Sequence, residues 1–402
     1  MTSSLRTKLA LVPLCSLLLF WVWLLVMVSL NGPKNTVAKD ASDYISAAQV
    51  LHRGDNPYDW HLVWEGKRKM VGLSEHTRGK QLARVAEPPV FFWAMEPLGG
   101  RSLALGSAVL EVVFALSAIV GLWASLAAFG RRRVVLPILI GLALPPMTYY
   151  IFIANLGVLV FAACSLGLLL ARRHPLLAGC LLSMAICKPQ LALPLAGLVL
   201  LFHSASWLRS LAGFALGAGG ILVASAVTAG PITLLWWLEA FHSFTDTLRF
   251  QTLFASLNVL YEPYLPARVS MVIAAALVVV AGAATLLALR RYWGVRPISV
   301  RQIAWLWLLW FAVAPYDHYY DYIFLAPVVL SFLASRLPGD RARAVIILYA
   351  VTLTAPVQTG ADHIIAPCLL FVVLAASLIP WPLRGRQSVQ HVAAAQSYGT
   401  SA

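Results

Sequence analysis

LALGSAVLEVVFALSAIVGLWASLAAF, residues 103–129, carries one charged side chain, Glu111, and no proline. Such a stretch reads as a helix crossing a bilayer, since about 20 apolar residues at roughly 1.5 Å each span the hydrocarbon layer. The rest of the chain is of the same kind. Of its 402 residues, 60% are hydrophobic and 11% charged, and the mean hydropathy is +0.79. Soluble domains run nearer 25% charged. That composition excludes intrinsic disorder, a disulfide scaffold and a cytosolic enzyme. Further apolar runs fall at 8–30, 134–154, 156–171, 176–188, 190–204, 210–230, 268–290, 302–315, 321–336, 343–357 and 363–381. Together they give an all-α polytopic membrane protein of about twelve transmembrane helices. Several runs are short, and read as broken or bilayer-thinning helices. The first follows Arg6 and Lys8 without a small-residue cleavage pattern, so it reads as a retained helix starting inside.

The net charge is +14, from 30 basic against 16 acidic residues. In this setting the excess serves to hold cytoplasmic loops inside, and no nucleic-acid partner is implied. Alternating spans put Arg131, Arg132, Arg133, Arg172, Arg173, Arg209, Arg290, Arg291 and Arg336–Arg343 on the inner side. The same alternation puts every acid outside except Asp340, which is inside, and Glu111, which is within a span. The carboxylates available for chemistry therefore gather on one face. The five cysteines lie in apolar runs without CxxC spacing, which implies packing and no metal or disulfide framework. Residues 1–386 read as a single membrane domain, and 387–402 as a disordered cytoplasmic tail.

The long first outer loop, 32–101, is the most informative segment. Tyr44, Ala47, Ala48 and Leu51 have helical spacing, so 40–53 reads as an amphipathic helix lying on the membrane surface. Gly54 suits its C-cap, and GDNPYDW (54–60) is turn chemistry. Lys67, Arg68, Lys69, Arg78, Lys80 and Arg84 are placed to face lipid headgroups. The loop closes with EPPVFFWAMEPLGG (87–100), too short to span and read as a second helix dipping into the outer leaflet.

Elsewhere, polar residues stand out against the apolar background. Lys188 ends a run just before Pro189; it reads either as a point charge for a phosphate or as a snorkelling lysine. Arg249 lies near Asp246 and reads as a second phosphate clamp or as that acid's partner. PYDHYYD (315–321) sets Asp317, His318 and Asp321 between two spans, a density that marks a functional candidate at a membrane edge. Its tyrosines alone fit an interfacial belt, as do Trp236 and Trp237.

These residues, in this order, resemble glycosyltransferase family 87 of the C-type superfamily, which includes polyprenyl-phosphate-mannose-dependent mannosyltransferases. The first-loop signature D-x-x-x-Y-x-x-A-A followed by GDNPYD occurs at Asp40, Tyr44, Ala47 and Ala48. Pro88-Pro89 before Pro97-Leu98, Lys188-Pro189-Gln190 and PYDHYYD match later motifs. Glu87 stands where the family carries an aromatic, and Ala154-Asn155-Leu156-Gly157 where it carries Gly-Gln-x-Asn. The resemblance implies an inverting transfer of a hexose, with mannose the expected sugar. The donor would be a polyprenyl-phosphate sugar, and the acceptor a lipid-linked or glycan hydroxyl. The reaction would take place on the outer face of a bacterial inner membrane, amid its lipids. It implies Asp40 as the base, where the residue alone would read as a water-facing acid at a helix start. It implies His318 at the reaction centre, and Tyr44, Glu87, Lys188, Arg249, Asp317 and Asp321 about the substrates. For Glu87 the bland reading is a cap before Pro88. Asp317, His318 and Asp321 also offer metal-ligand types, but the resembled enzymes need no metal or other cofactor at the reaction centre. A lipid or small-molecule transporter is the rival reading, which internal repeats would favour; none is visible.

Overall fold

The structure is a computed structural model that describes residues 40–71, 85–99, 103–131, 134–247, 265–290, 299–314, 319–335 and 339–353, with Val372 and Leu374. The expected span at 8–30, that at 363–381 apart from Val372 and Leu374, and the tail from 387 lie outside the described residues. Among the described residues all regular structure is helical. The loop contributes α1 (Asp40–His52), α2 (Trp60–Val71) and α3 (Pro89–Gly99). The bundle follows with α4 (Leu103–Ala128), α5 (Val135–Leu142), α6 (Pro145–Ile153), α7 (Gly157–Leu170), α8 (Pro175–Leu182) and α9 (Pro189–Leu198). It continues with α10 (Trp207–Ala229), α11 (Ile232–Thr247), α12 (Ala267–Arg290), α13 (Val300–Val313), α14 (Ala326–Leu333) and α15 (Asp340–Leu353).

By length and apolar composition, α4 and α10 are able to cross a membrane, and α5 with α6 makes a third crossing if counted as one span bent by 66°. The expected twelve are therefore not reached among the described residues by helix length. The reason is visible in the prolines. A proline lacks the N–H that continues a helix but fits its first turn, so Pro145 and Pro189 each open a new helix where an apolar stretch continues, and Pro175 opens one after Arg172–His174. Helix α11 covers part of what reads as an outer connection.

Close approach is built by small residues. Helix α8 packs on α10 where a Cβ on Gly179 would strike the Ser210 carbonyl and one on Gly213 the Leu176 carbonyl. This is the small-residue contact by which membrane helices pack in the absence of a hydrophobic drive. Helix α4 lies on α7, with Gly121 under the Phe161 ring.

The two ends of α4 mark two polar clusters, separated by its 26 residues, or roughly 39 Å of helix. Near Leu103, Gly106 lies against Ile45 of α1 and Leu98 of α3. At the other end Arg131 donates to the Ser331 carbonyl at 2.8 Å. There Asp340 is buried against Arg301 at 2.9 Å and Arg343 at 3.0 Å. Groups that strict alternation places on one side thus meet at one end.

The loop helix α1 departs from expectation. Its sequence predicts an amphipathic, surface-lying helix, yet Ala41, Ser42, Tyr44, Ile45, Ser46, Ala47, Ala48 and Val50 are all buried. It packs on α2, α3 and α4. Its second face consists of serine and alanine, small enough to be covered. The buried polarity is satisfied within: the Ser46 hydroxyl donates to the Val63 carbonyl at 2.6 Å. The turn behaves as read. Gly54 takes φ +80, Asn56 Oδ1 accepts from Tyr58 N at 2.9 Å, and Asp59 Oδ1 accepts from His61 N at 2.9 Å.

Candidate active site

Five stretches distant in sequence meet at the loop end of the bundle: the start of α1, the chain at Glu87, the α6–α7 break, the junction at Lys188 and the 3₁₀ turn Tyr319–Leu325. Asp40 is the first described residue of α1. Its carboxylate Oδ2 accepts a hydrogen bond from Asn155 Nδ2. Asn155 sits in the break, after Ala154 in the left-handed region at φ 54. Lys188, between a 3₁₀ turn and α9, is close enough for its ammonium to favour the ionised form of Asp40.

Burial outweighs that help. Loss of water disfavours the carboxylate, and Asp43 and Glu87 add like charge. Lys188 and the Asn155 amide oppose the shift, and the group ends at about 7. A carboxyl poised there suits a proton acceptor at neutral pH. Burial likewise raises Asp43, whose Oδ1 holds Lys67 Nζ at 2.7 Å. Lys67 is only 4% exposed, so it faces a protein carboxylate and not lipid headgroups as expected. Arg68 and Lys69 pair with Glu65 at 2.8 and 3.2 Å. Arg78, Lys80 and Arg84 lie outside the described residues.

Tyr44 and Glu87 form the frame of the site. Both are buried. The Tyr44 hydroxyl donates to Glu87 Oε1 at 2.9 Å and accepts from Leu156 N at 3.4 Å. Glu87 Oε2 accepts from Ala86 N at 2.9 Å, and its carbonyl accepts from the Tyr58 hydroxyl at 2.7 Å. Both carboxylate oxygens are thus engaged by protein, tying the loop to the α6–α7 break. Trp237, read as an interfacial anchor, is instead buried and donates to the Ala86 carbonyl at 2.8 Å.

Asp321 is 2% exposed and accepts from the Tyr150 hydroxyl of α6. The ring of Tyr150 packs where a Cβ on Gly157 would stand, so only glycine fits there. Asp317, His318 and Arg249 lie outside the described residues. Among the described residues no group of three metal-ligating side chains comes together.

The family model of glycosyltransferase family 87 matches residues 87–315, more than half of the chain. The chain belongs to glycosyltransferase family 87. It is therefore a membrane glycosyltransferase, consistent with its apolar helices. No curated protein and no solved structure matches it. Asp40 and Tyr44 precede the matched residues, and the geometry links them to it through Asn155 and Glu87. Reading by sequence missed Asn155 and Tyr150. The one signal for Asn155 was the ANLG motif at the break.

Proposed function

We propose that this glycosyltransferase moves a hexose, mannose by resemblance, from a polyprenyl-phosphate sugar to a lipid-linked or glycan hydroxyl, with inversion at C1. The observation that carries the reading is the half-buried Asp40 beside Lys188 at one end of an apolar bundle. The acceptor hydroxyl attacks C1, and its proton passes to Asp40. The C1–O bond to phosphate breaks, and the electron pair leaves with the polyprenyl phosphate. Negative charge grows on that leaving oxygen, and a fixed cation stabilises it most where water is excluded. Lys188 is the cation in this account, with Arg249 and His318 as further partners and Asp317 and Asp321 toward the sugar. His318 stands three residues before Asp321 in the chain. Glu87 and Tyr44 hold the loop over the site.

Twelve spans, several of them paired short helices, would set the site at the outer face of a bacterial inner membrane. The separation of the two polar clusters along the bundle is in keeping with this. The test uses proteoliposomes loaded with labelled polyprenyl-phosphate mannose and a glycolipid acceptor. Mannosylated product with inverted configuration is expected. Movement of labelled donor across the bilayer without product would replace the reading by a transporter.

A further inference from the structure

Asn155 is buried and both ends of its amide are committed. Its Oδ1 accepts from Gly157 N at 2.8 Å. That bond fixes the orientation of the amide, because only the carbonyl end accepts. The NH₂ end therefore faces Asp40 Oδ2. The backbone around it is equally constrained. Asn155 N donates to the Tyr150 carbonyl at 3.1 Å, Ala154 closes α6 in the left-handed region, and Tyr150 is pinned between Gly157 and Asp321. A non-glycine residue in that region is strained and is held there by its surroundings. The amide is thus presented to Asp40 by a rigid corner of two helices, and not by a free side chain.

We infer that Asn155 is the positioning residue of the catalytic base: it grips Oδ2 so that Oδ1 of Asp40 receives the acceptor's proton. This rests on the reading of Asp40 as the base. The charged groups facing Asp40 are Lys188 at the α9 junction, Asp43 of α1 with its partner Lys67 of α2, and Glu87 ahead of α3. Tyr44 and Tyr150 border the same space. Asn155 is the neutral member of this set, and it donates to the ionised form. Its loss makes Asp40 harder to ionise.

The test is the pH dependence of kcat/KM for transfer from a short-chain polyprenyl-phosphate mannose. Wild type, Asn155→Leu, Asn155→Asp and Asp40→Asn are compared, each with its thermal midpoint. In N155L the acidic limb moves up by about one pH unit, the size expected for a lost hydrogen bond to a charged group. Its kcat falls on the order of 10²-fold, as for a misaimed catalytic group, while donor KM is unchanged. N155D keeps the shape but sets one carboxylate against another, so two groups share one proton. Its limb moves further up, and at neutral pH it is slower than N155L. Unchanged limbs in both variants, whatever their kcat, would overturn the inference and leave Asn155 a packing residue. If N155L does not fold, N155D alone decides by the same shift. D40N separates the two claims: wild-type activity in D40N removes the base itself, whereas an inactive D40N with unshifted Asn155 variants removes only the positioning role.

Discussion

At the scale of single residues, the site is governed by the balance of burial against two favourable contacts on Asp40. In the proposed mechanism the ionised form is the base, so activity follows its deprotonation. The acidic limb of kcat/KM in the wild type should lie near pH 7, where Asp40 titrates, and activity should fall below it. Lys188→Ala removes the cation that lowers this value, so its limb should move up, while Lys188→Arg should keep it; a pH–rate series checks both. Lys67 makes a second prediction. Lys67→Met leaves the half-buried Asp43 without its partner, a loss of up to about 3–5 kcal/mol, the range for a fully buried pair. The folded Asp43 is raised above its ordinary value, so protonation relieves it. The deficit should thus shrink as pH falls toward the carboxylate range, and the Asp43→Asn/Lys67→Met pair should recover most of it in thermal midpoint. Lys188 was legible because a charge at the end of an apolar run is conspicuous, and Asp40 through its first-loop motif. Asn155 showed only as part of the ANLG motif, since an uncharged amide at a helix break has no evident role until its partner is known.

At the scale of elements, breaks matter more than lengths. Lys188-Pro189 announced one of them in the sequence, and it sets Lys188 near Asp40; the α6–α7 break, which delivers Asn155, carries no proline. The burial of α1 was not legible, because serine and alanine read as a polar face but pack as small surfaces. Nor was the α8–α10 contact, which needs the partner helix to give Gly179 and Gly213 a meaning. That contact predicts a clear asymmetry among glycines of α10. Gly213→Leu drives its side chain into the Leu176 carbonyl and should lower the thermal midpoint in detergent strongly, by more than the roughly 1–3 kcal/mol of ordinary overpacking. Gly219→Ala, with open space about it, should be neutral or slightly stabilising, since alanine favours helix by about 1 kcal/mol.

For the whole molecule, the bundle separates two polar ends. The loop end holds Asp40, Glu87, Asn155, Lys188 and Asp321, and the far end holds Arg131, Arg301 and Asp340. Composition alone foretold a helical membrane protein, and the convergence of distant loops at Asp40 required the fold. If the ends lie on opposite sides of a membrane, single cysteines at exposed Arg53 and exposed Arg173 should differ in labelling. In a background without the native cysteines, an impermeant maleimide added to intact cells should label the first. The second should react only after permeabilisation. The most direct test of the central claim is sugar transfer by the purified protein from short-chain polyprenyl-phosphate mannose, run beside Asp40→Asn with donor binding measured on both. Product from the wild type, its loss in the variant and unchanged donor binding are the predicted result. Equal product from a folded Asp40→Asn protein would contradict it.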